Sequence, residues 1–137
     1  MTPLDMALTH AAAFTQGRPW SEAEFAALLD SPANFVTGDS RCFALVGVVA
    51  DEAELLTIAT HPQNQHQGLA RDCMEKWQTE AMNRGATQAF LEVASDNTPA
   101  ISLYKSTGFE QIGLRKGYYQ RKTGEPADAL VMRRSLT

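Results

Sequence analysis

The sequence predicts an α/β domain with a mixed sheet, and three observations support this fold class. Helix-start signals and short apolar runs of strand character follow one another in the order ααβββαβαββ. The segments are short and closely spaced, as in one layered domain. A chain of 137 residues, 44% of them hydrophobic, is long enough for one core and too short for two. We therefore expect residues 1–137 to form a single domain.

The helix ends carry the clearest local signals. Thr2-Pro3 predicts a first helix with threonine as cap and proline as its first residue, and Ser21-x-x-Glu24 is a capping box for a second. Trp20 and Phe25 stand where a hydrophobic staple would clamp that second start. The later helices are expected to begin after Gly68 and at Asn97-Thr98-Pro99, and to end at Arg84-Gly85 and Gly108.

The strands are predicted from apolar runs bounded by turn residues. The first three are separated at hairpin spacing, and the fourth is nearly continuous in apolar residues, which is typical of a central buried strand. The expected ranges are 34–37, 42–50, 54–60, 89–93, 109–114 and 127–132.

Charge and composition bear on the class of partner. The formal net charge of −4 provides no basic surface for nucleic acid, and no apolar run approaches the roughly 20 residues that span a bilayer. The first ten residues lack a basic start, so we expect no secretory signal. Cys42 and Cys73 lie inside apolar patterns and are expected to be buried, reduced thiols. These features predict a cytoplasmic protein that binds neither nucleic acid nor a membrane. They leave open whether it is a monomer or a homodimer.

The segment between the third strand and the third helix, HPQNQHQGLA, is a candidate anion site. The N–H groups at a helix start have no intrahelical partner, and the helix dipole adds partial positive charge there. Gly68 permits close approach of a ligand, and Ala70 keeps the first turn free of a large side chain. The pattern Gln65-x-x-Gly68-x-Ala70 therefore suits a pyrophosphate, but taken alone it also describes an ordinary strand-to-helix connection.

Polar groups inside apolar segments are the other candidates. Alternation along the fourth strand turns Phe90 and Glu92 to one face, so the carboxylate either opens into a cleft or pairs with a cation. Tyr104 lies in an apolar helix, where a tyrosine is more often part of the core than catalytic. Tyr118 and Tyr119 precede a polar loop, residues 120–126, and either line the mouth of a cleft or pack ordinarily.

Neither a metal site nor an enzyme nucleophile is expected. His10 is remote in sequence from His61 and His66, and no Cys or carboxylate is spaced to complete a ligand shell. The sequence has no Gly-x-Ser-x-Gly elbow, and neither cysteine has the setting of an activated thiolate.

Two stretches taken together resemble the GNAT superfamily of acetyl-CoA-dependent N-acetyltransferases. They are IATHPQNQHQGLA, which resembles the pyrophosphate motif of that family, and FLEVASDNTPAISLYKSTGF, which resembles its strand and helix bearing an asparagine and a tyrosine. Within the superfamily, the chain from about Pro19 to Met132 resembles the bacterial ribosomal-protein-alanine N-acetyltransferases. The segments that carry this likeness are PWSEAEF, LEVASDN, AISLYKSTGF and GYYQRKTGEPADALVM.

The resemblance implies a mostly antiparallel mixed sheet with a splayed central pair of strands, flanked by helices. It implies acetyl-CoA as co-substrate and no metal. It assigns Glu92 as general base and Tyr104 as general acid. Tyr118 and Tyr119, if they line the mouth of the cleft, are the candidate substrate-binding residues. The residues it assigns to acetyl-CoA binding are Ile58, Ala59, Thr60, Gln65, His66, Gln67, Gly68, Leu69, Ala70, Arg71, Asn97 and Tyr104.

The implied activity is direct acetyl transfer to a primary amine, and the resemblance indicates the N-terminal α-amine of a protein. An α-amine has a reference pKa of about 7.7–8.0 against about 10.4 for lysine, so its deprotonation at neutral pH is easier by roughly 3.4 kcal/mol. Two alternatives stay open: a small-molecule amine as acceptor, and a non-catalytic module that senses acetyl-CoA. His66 and Gln67 replace two arginines common in these enzymes, which removes fixed positive charge and leaves the backbone donors in place.

Overall fold

The computed structural model describes residues 1–15, 17–121 and 124–137, and within them the secondary structure follows the predicted order ααβββαβαββ. No helix in these ranges is both long enough and apolar enough to cross a membrane. The helices are α1 (Pro3–Ala13), α2 (Glu22–Asp30), α3 (Leu69–Asn83) and α4 (Thr98–Ser106), with one 3-10 turn at Pro62–Asn64. The strands are β1 (Asn34–Asp39), β2 (Cys42–Val49), β3 (Glu52–Thr60), β4 (Gln88–Ala94), β5 (Glu110–Tyr119) and β6 (Ala127–Ser135).

The first two helices begin at the predicted caps. Thr2 and Asp5 form a reciprocal capping box at α1, and Ser21 and Glu24 form another at α2. The predicted staple is also present, because the rings of Trp20 and Phe25 lie 5.6 Å apart. Local hydrogen bonds therefore account for where these helices start.

The strands form one mixed sheet in the order β1-β2-β3-β4-β6-β5. The β3–β4 pair is parallel, and the other pairs are antiparallel. β5 was predicted to end at Leu114 but continues to Tyr119. It is the exposed edge strand, so no buried face imposes an alternating pattern on its sequence. The predicted loop at residues 120–126 includes Lys122 and Thr123, which lie outside the described residues.

Each face of the sheet packs against a pair of helices. On the α3 and α4 face, the fully buried ring of Trp77 packs with Leu91 and Met132. On the α1 and α2 face, Phe25 and Phe43 are fully buried and their rings meet edge to face at 5.7 Å. The sheet is thus covered on both sides, and a residue on either face of a central strand enters the protein interior.

The predicted splayed pair lies at the centre of the sheet. β3 and β4 are paired through their first residues and then separate, although both strands continue in extended conformation. Beyond the separation, β3 remains paired with β2 and β4 with β6, so the two strands face each other with unpaired edges. The paired residues are Glu52 with Gln88, Ala53 with Ala89, and Glu54 with Phe90.

A bulge in β3 accompanies this separation. Val46 of β2 pairs with Leu55, but the next β2 residue, Leu45, pairs with Thr57, so Leu56 is an extra residue. An extra residue bends a strand and shifts its side-chain alternation by one. As a result Leu55 and Ile58 both face the α3 side, while Leu56 turns to the α1 and α2 side.

Candidate active site

A cavity of about 680 Å³ lies between the separated ends of β3 and β4. That volume is within the range of small-molecule sites, about 300–1,000 Å³. Leu55–Ile58 of β3 form one wall and Glu92–Ala94 of β4 the opposite one. Further parts of the lining come from α1 and the segment after it, from Asn97 and Tyr104, and from residues 118–121.

Glu92 faces this cavity from β4. The predicted alternation is present: Leu91 and Val93 are buried on the α3 side, and Glu92 points to the other face, where its side chain is 24% exposed. Its Oε1 atom lies 3.4 Å from Nη1 of Arg115 on β5, whose side chain is 55% exposed. The Glu92 carboxylate therefore both lines the cavity and has a cation partner. The ion pair is weak because the Arg115 side chain is so exposed.

Tyr104 lines the same cavity from α4 and is 6% exposed. Its ring meets that of Phe109 edge to face at 6.4 Å, which fixes the ring plane. Its hydroxyl makes no hydrogen bond to any described residue. Burial raises the pKa of Tyr104 above the ordinary value for tyrosine, and the neighbouring Tyr119 adds to the shift. The hydroxyl is therefore protonated at neutral pH and free to donate a proton or a hydrogen bond.

The two tyrosines at the end of β5 also line the cavity. Tyr118 is half exposed, and its ring meets that of Tyr119 edge to face at 5.2 Å. Burial and then the negative charge of Glu92 raise the pKa of Tyr119 to about 12. Tyr119 is thus close to Glu92 and remains neutral, so it adds no negative charge of its own to the site.

Asn97 caps α4 and lines the cavity at the end of β4. Its side-chain oxygen accepts the Ala100 N–H at 3.3 Å, which leaves the two amide hydrogens without a bond to the described residues. Beside it, Asp96 forms an ion pair with Arg121 at 2.7 Å, which ties the end of β4 to the segment after β5. Asn97 can therefore donate to a ligand without losing its role as a cap.

The candidate anion loop lies at the far end of β3, outside the cavity lining. Gly68 caps α3 with φ of +78°, and no side chain satisfies the first N–H groups of that helix. The first helical bond is donated by the Asp72 N–H, so those of Leu69, Ala70 and Arg71 point out of the helix start. These donors, with the positive end of the helix dipole, make a cradle for an anionic group.

Three residues of β3 were predicted to contact acetyl-CoA. Ile58 lines the cavity, whereas the side chains of Ala59 and Thr60 contact other parts of the protein. Ala59 is 6% exposed and packs with the α1 and α2 core, and Thr60 donates to the Cys42 thiol at 3.2 Å. These two residues can contribute backbone groups, since β3 has no strand partner on its β4 side here. A ligand that reaches from the cavity to Gly68 must therefore run along the edge of β3.

The segment between α1 and α2 forms a wall that the sequence did not indicate. His10, Phe14, Arg18 and Trp20 all line the cavity. The capping box and staple predict where α2 starts but not which part of the sheet the preceding segment covers. His10 of α1 and Phe14, the residue that caps its C-terminal end, are four residues apart, a spacing that places two side chains on the same side of a helix.

His10 is the buried histidine of this wall, with 5% exposure. Its Nδ1 atom accepts the Trp20 N–H at 3.1 Å, and its ring stacks on that of Trp20 with centroids 5.2 Å apart. Burial lowers the pKa of His10 below its ordinary value of 6.5, and the negative charge of Glu24 opposes the shift. The imidazole is therefore neutral at pH 7.

The other two histidines stand apart from these groups. His61 accepts the Gln63 N–H through Nδ1 at 3.2 Å, and His66 is exposed in the loop before Gly68. Among residues 1–15, 17–121 and 124–137, no three Cys, His, Asp or Glu side chains come together as metal ligands.

We predict that acid destabilises the protein partly through His10. Below about pH 6.5 the unfolded chain binds a proton at His10 that the folded protein resists, so the free energy of unfolding falls as pH drops. Urea denaturation between about pH 7.5 and 5.5 measures this slope. His10→Asn should flatten it, whereas His66→Asn, at an exposed histidine, should not; equal slopes in wild type and His10→Asn would contradict the prediction.

Comparison with known proteins places this arrangement in a family. Residues 7–109 match the sequence profile of the Acetyltransferase (GNAT) family. Over 118 residues the chain is 40% identical to the ribosomal protein bS18-alanine N-acetyltransferase of Escherichia coli strain K12, covering 83% of this chain and 79% of that one. It is 37% identical over 130 residues to the N-alpha-acetyltransferase RimI of Mycobacterium tuberculosis, covering 88% and 78% respectively.

A solved structure gives the same result in three dimensions. The crystal structure of the ribosomal-protein-S18-alanine N-acetyltransferase from Escherichia coli matches with a TM-score of 0.88 at 33% identity. The match covers 98% of this chain and 88% of that one. The chain therefore belongs to the acetyltransferase (GNAT) family, as the sequence motifs indicated, and is an acyltransferase of a family whose co-substrate is acetyl-CoA.

Proposed function

We propose that this protein transfers the acetyl group of acetyl-CoA directly to the N-terminal α-amine of a protein, as in ribosomal-protein-alanine acetylation. The observation that carries the proposal is the placement of Glu92 and the unbonded Tyr104 hydroxyl on one cavity between β3 and β4. The names of the relatives, which specify protein alanine or α-amine acceptors, support the choice of acceptor.

The residues present fit acetyl-CoA. Its diphosphate is an anion that the backbone N–H groups at residues 66–71 suit, and a Cβ placed on Gly68 meets nothing within 4 Å, so the space before α3 is open. The amide groups of its pantetheine arm match the unpaired backbone edge of Ile58–Thr60 and the free amide hydrogens of Asn97. When bound, acetyl-CoA supplies an acetyl group activated as a thioester.

Glu92 and Tyr104 are assigned opposite proton transfers. The incoming amine attacks only when it is deprotonated, and the Glu92 carboxylate accepts that proton, directly or through a water molecule. The departing thiolate needs a proton, and the Tyr104 hydroxyl, held protonated by its burial, donates it. The two groups reach the cavity from opposite faces of the sheet, and direct attack requires no enzyme nucleophile.

The acceptor is best tested with a pair of peptides. One peptide is unstructured and begins with a free alanine. The other is matched to it but has a blocked N-terminus and contains an internal lysine. With acetyl-CoA present, mass spectrometry should show acetylation of the free alanine terminus alone, because its amine deprotonates far more easily than that of lysine. Acetyl-CoA binding without product on either peptide would overturn the proposed acceptor and favour a small amine or a sensing role.

Glu92→Gln should lower kcat for this peptide by about a hundredfold or more, the usual contribution of a general base. Acetyl-CoA affinity, measured by calorimetry, should stay near that of the wild type because the substitution keeps size and shape. Glu54→Gln is the matched control, since Glu54 is an exposed glutamate on β3 outside the cavity lining. Unchanged kcat in Glu92→Gln would remove this carboxylate from the mechanism.

Gly68→Ala and Gly85→Ala separate backbone strain from ligand binding. Both glycines have positive φ, +78° and +96°, and a Cβ on either meets nothing within 4 Å. Each substitution should therefore cost about 1 kcal/mol of folding free energy. Of the two variants, only Gly68→Ala should weaken acetyl-CoA binding, by about tenfold, because the added methyl group occupies the approach to the α3 N–H groups. Equal affinities in the two variants would argue against a phosphate cradle at Gly68.

A further inference from the structure

The two nitrogen atoms of His10 have different surroundings. Nδ1 accepts the Trp20 N–H, and Nε2 makes no hydrogen bond to a described residue. His10 itself is 95% buried and lines the cavity, and Nε2 is the ring nitrogen that Trp20 does not engage.

The environment of His10 fixes both its proton and its orientation. Because Nδ1 receives a backbone N–H, its lone pair is occupied and the neutral ring carries its proton on Nε2. The ring is held between aromatic neighbours, with centroids 5.3 Å from Phe14, 5.2 Å from Trp20 and 5.5 Å from Phe25. His10 therefore presents a neutral, preorganised N–H donor to the cavity, on the wall opposite α4.

We infer that His10 Nε2–H binds the first backbone carbonyl oxygen of the acceptor peptide, an inference that rests on the proposed function. A neutral N–H donor has nothing to offer an ammonium group, which is itself only a donor. The backbone acceptor atom closest to the reacting amine is the carbonyl oxygen of the first residue. One hydrogen bond from His10 to that oxygen orients the terminus while its amine is near Glu92 on the β4 wall.

This hydrogen bond makes the site specific for N-terminal α-amines over lysine side-chain amines. In a protein N-terminus the carbonyl carbon is bonded to the carbon that carries the amine. In a lysine side chain the reacting amine is separated from the nearest carbonyl by the whole aliphatic stem, so it cannot satisfy His10 from the same position. His10 is thus a specificity-determining residue that favours α-amines, in addition to the difference in amine pKa.

Two substitutions at His10 distinguish binding of the peptide carbonyl oxygen from packing of α1 against α2. In His10→Asn, the amide oxygen replaces Nδ1 as acceptor of the Trp20 N–H, and no group reaches the position of Nε2. In His10→Gln, the longer side chain places an amide N–H near the position of Nε2 and leaves the Trp20 N–H less well satisfied. If His10 served only to pack α1 against α2, His10→Gln would lose more activity and more stability than His10→Asn.

The experiment measures kcat and KM for a peptide beginning with alanine and for the same peptide with its first carbonyl oxygen replaced by sulfur, a weaker acceptor. In the wild type the sulfur substitution should raise KM about five- to tenfold, the effect of one neutral hydrogen bond. His10→Asn should raise KM for the ordinary peptide by a similar factor, leave kcat and acetyl-CoA affinity near normal, and lose the discrimination against sulfur. His10→Gln should recover part of the KM.

A peptide with the sulfur at its third residue serves as control and should behave like the ordinary peptide in every variant. An unchanged peptide KM in His10→Asn, or an undiminished sulfur effect in that variant, would overturn the inference while leaving the proposed function intact. So would a lowered melting temperature without a change in KM. Failure of the wild type to acetylate either peptide would overturn the proposed function and the inference together.

Discussion

The active-site architecture depends on the loss of hydrogen bonding between two neighbouring strands. β3 and β4 pair through Glu54 and Phe90 and then separate, so the backbone groups on both facing edges lack a strand partner. Buried backbone polar groups require hydrogen bonds, and an extended ligand with amide groups can supply them. The extra residue at Leu56 bends β3 at this point and turns its side chains by one position. The cavity is the space left by these two local departures from a regular sheet.

The same separation determines where the chemical groups lie. Because both faces of the sheet are covered, a carboxylate on β4 would be costly to bury, and the opening gives Glu92 access to solvent and to Arg115. Tyr104 enters from α4 on the other face, where burial keeps its hydroxyl protonated. A carboxylate and a protonated hydroxyl therefore line one opening from opposite layers of the fold. The Glu92 side chain is partly exposed at the opening, whereas Tyr104 is buried under α4.

The cavity wall formed by the end of α1 and the segment before α2 has no sheet character. The backbone N–H of Trp20, just before α2, donates to Nδ1 of His10 on α1, and this hydrogen bond helps to orient the cavity-facing ring. The Asp96–Arg121 ion pair links the end of β4 to the segment after β5. Both contacts join residues that line the cavity.

Several features followed from the sequence by itself because they depend on neighbours within four residues. The helix caps at Thr2 and Ser21, the glycine before α3 and the alternation around Glu92 are of this kind, and the family motifs placed them in one fold. Only the tertiary structure decided that His10 joins the cavity and that the Cys73 thiol lies 3.5 Å from the carbonyl of Cys42. It also decided the true end of β5. These features depend on chain segments far apart in sequence, whose approach no local pattern encodes.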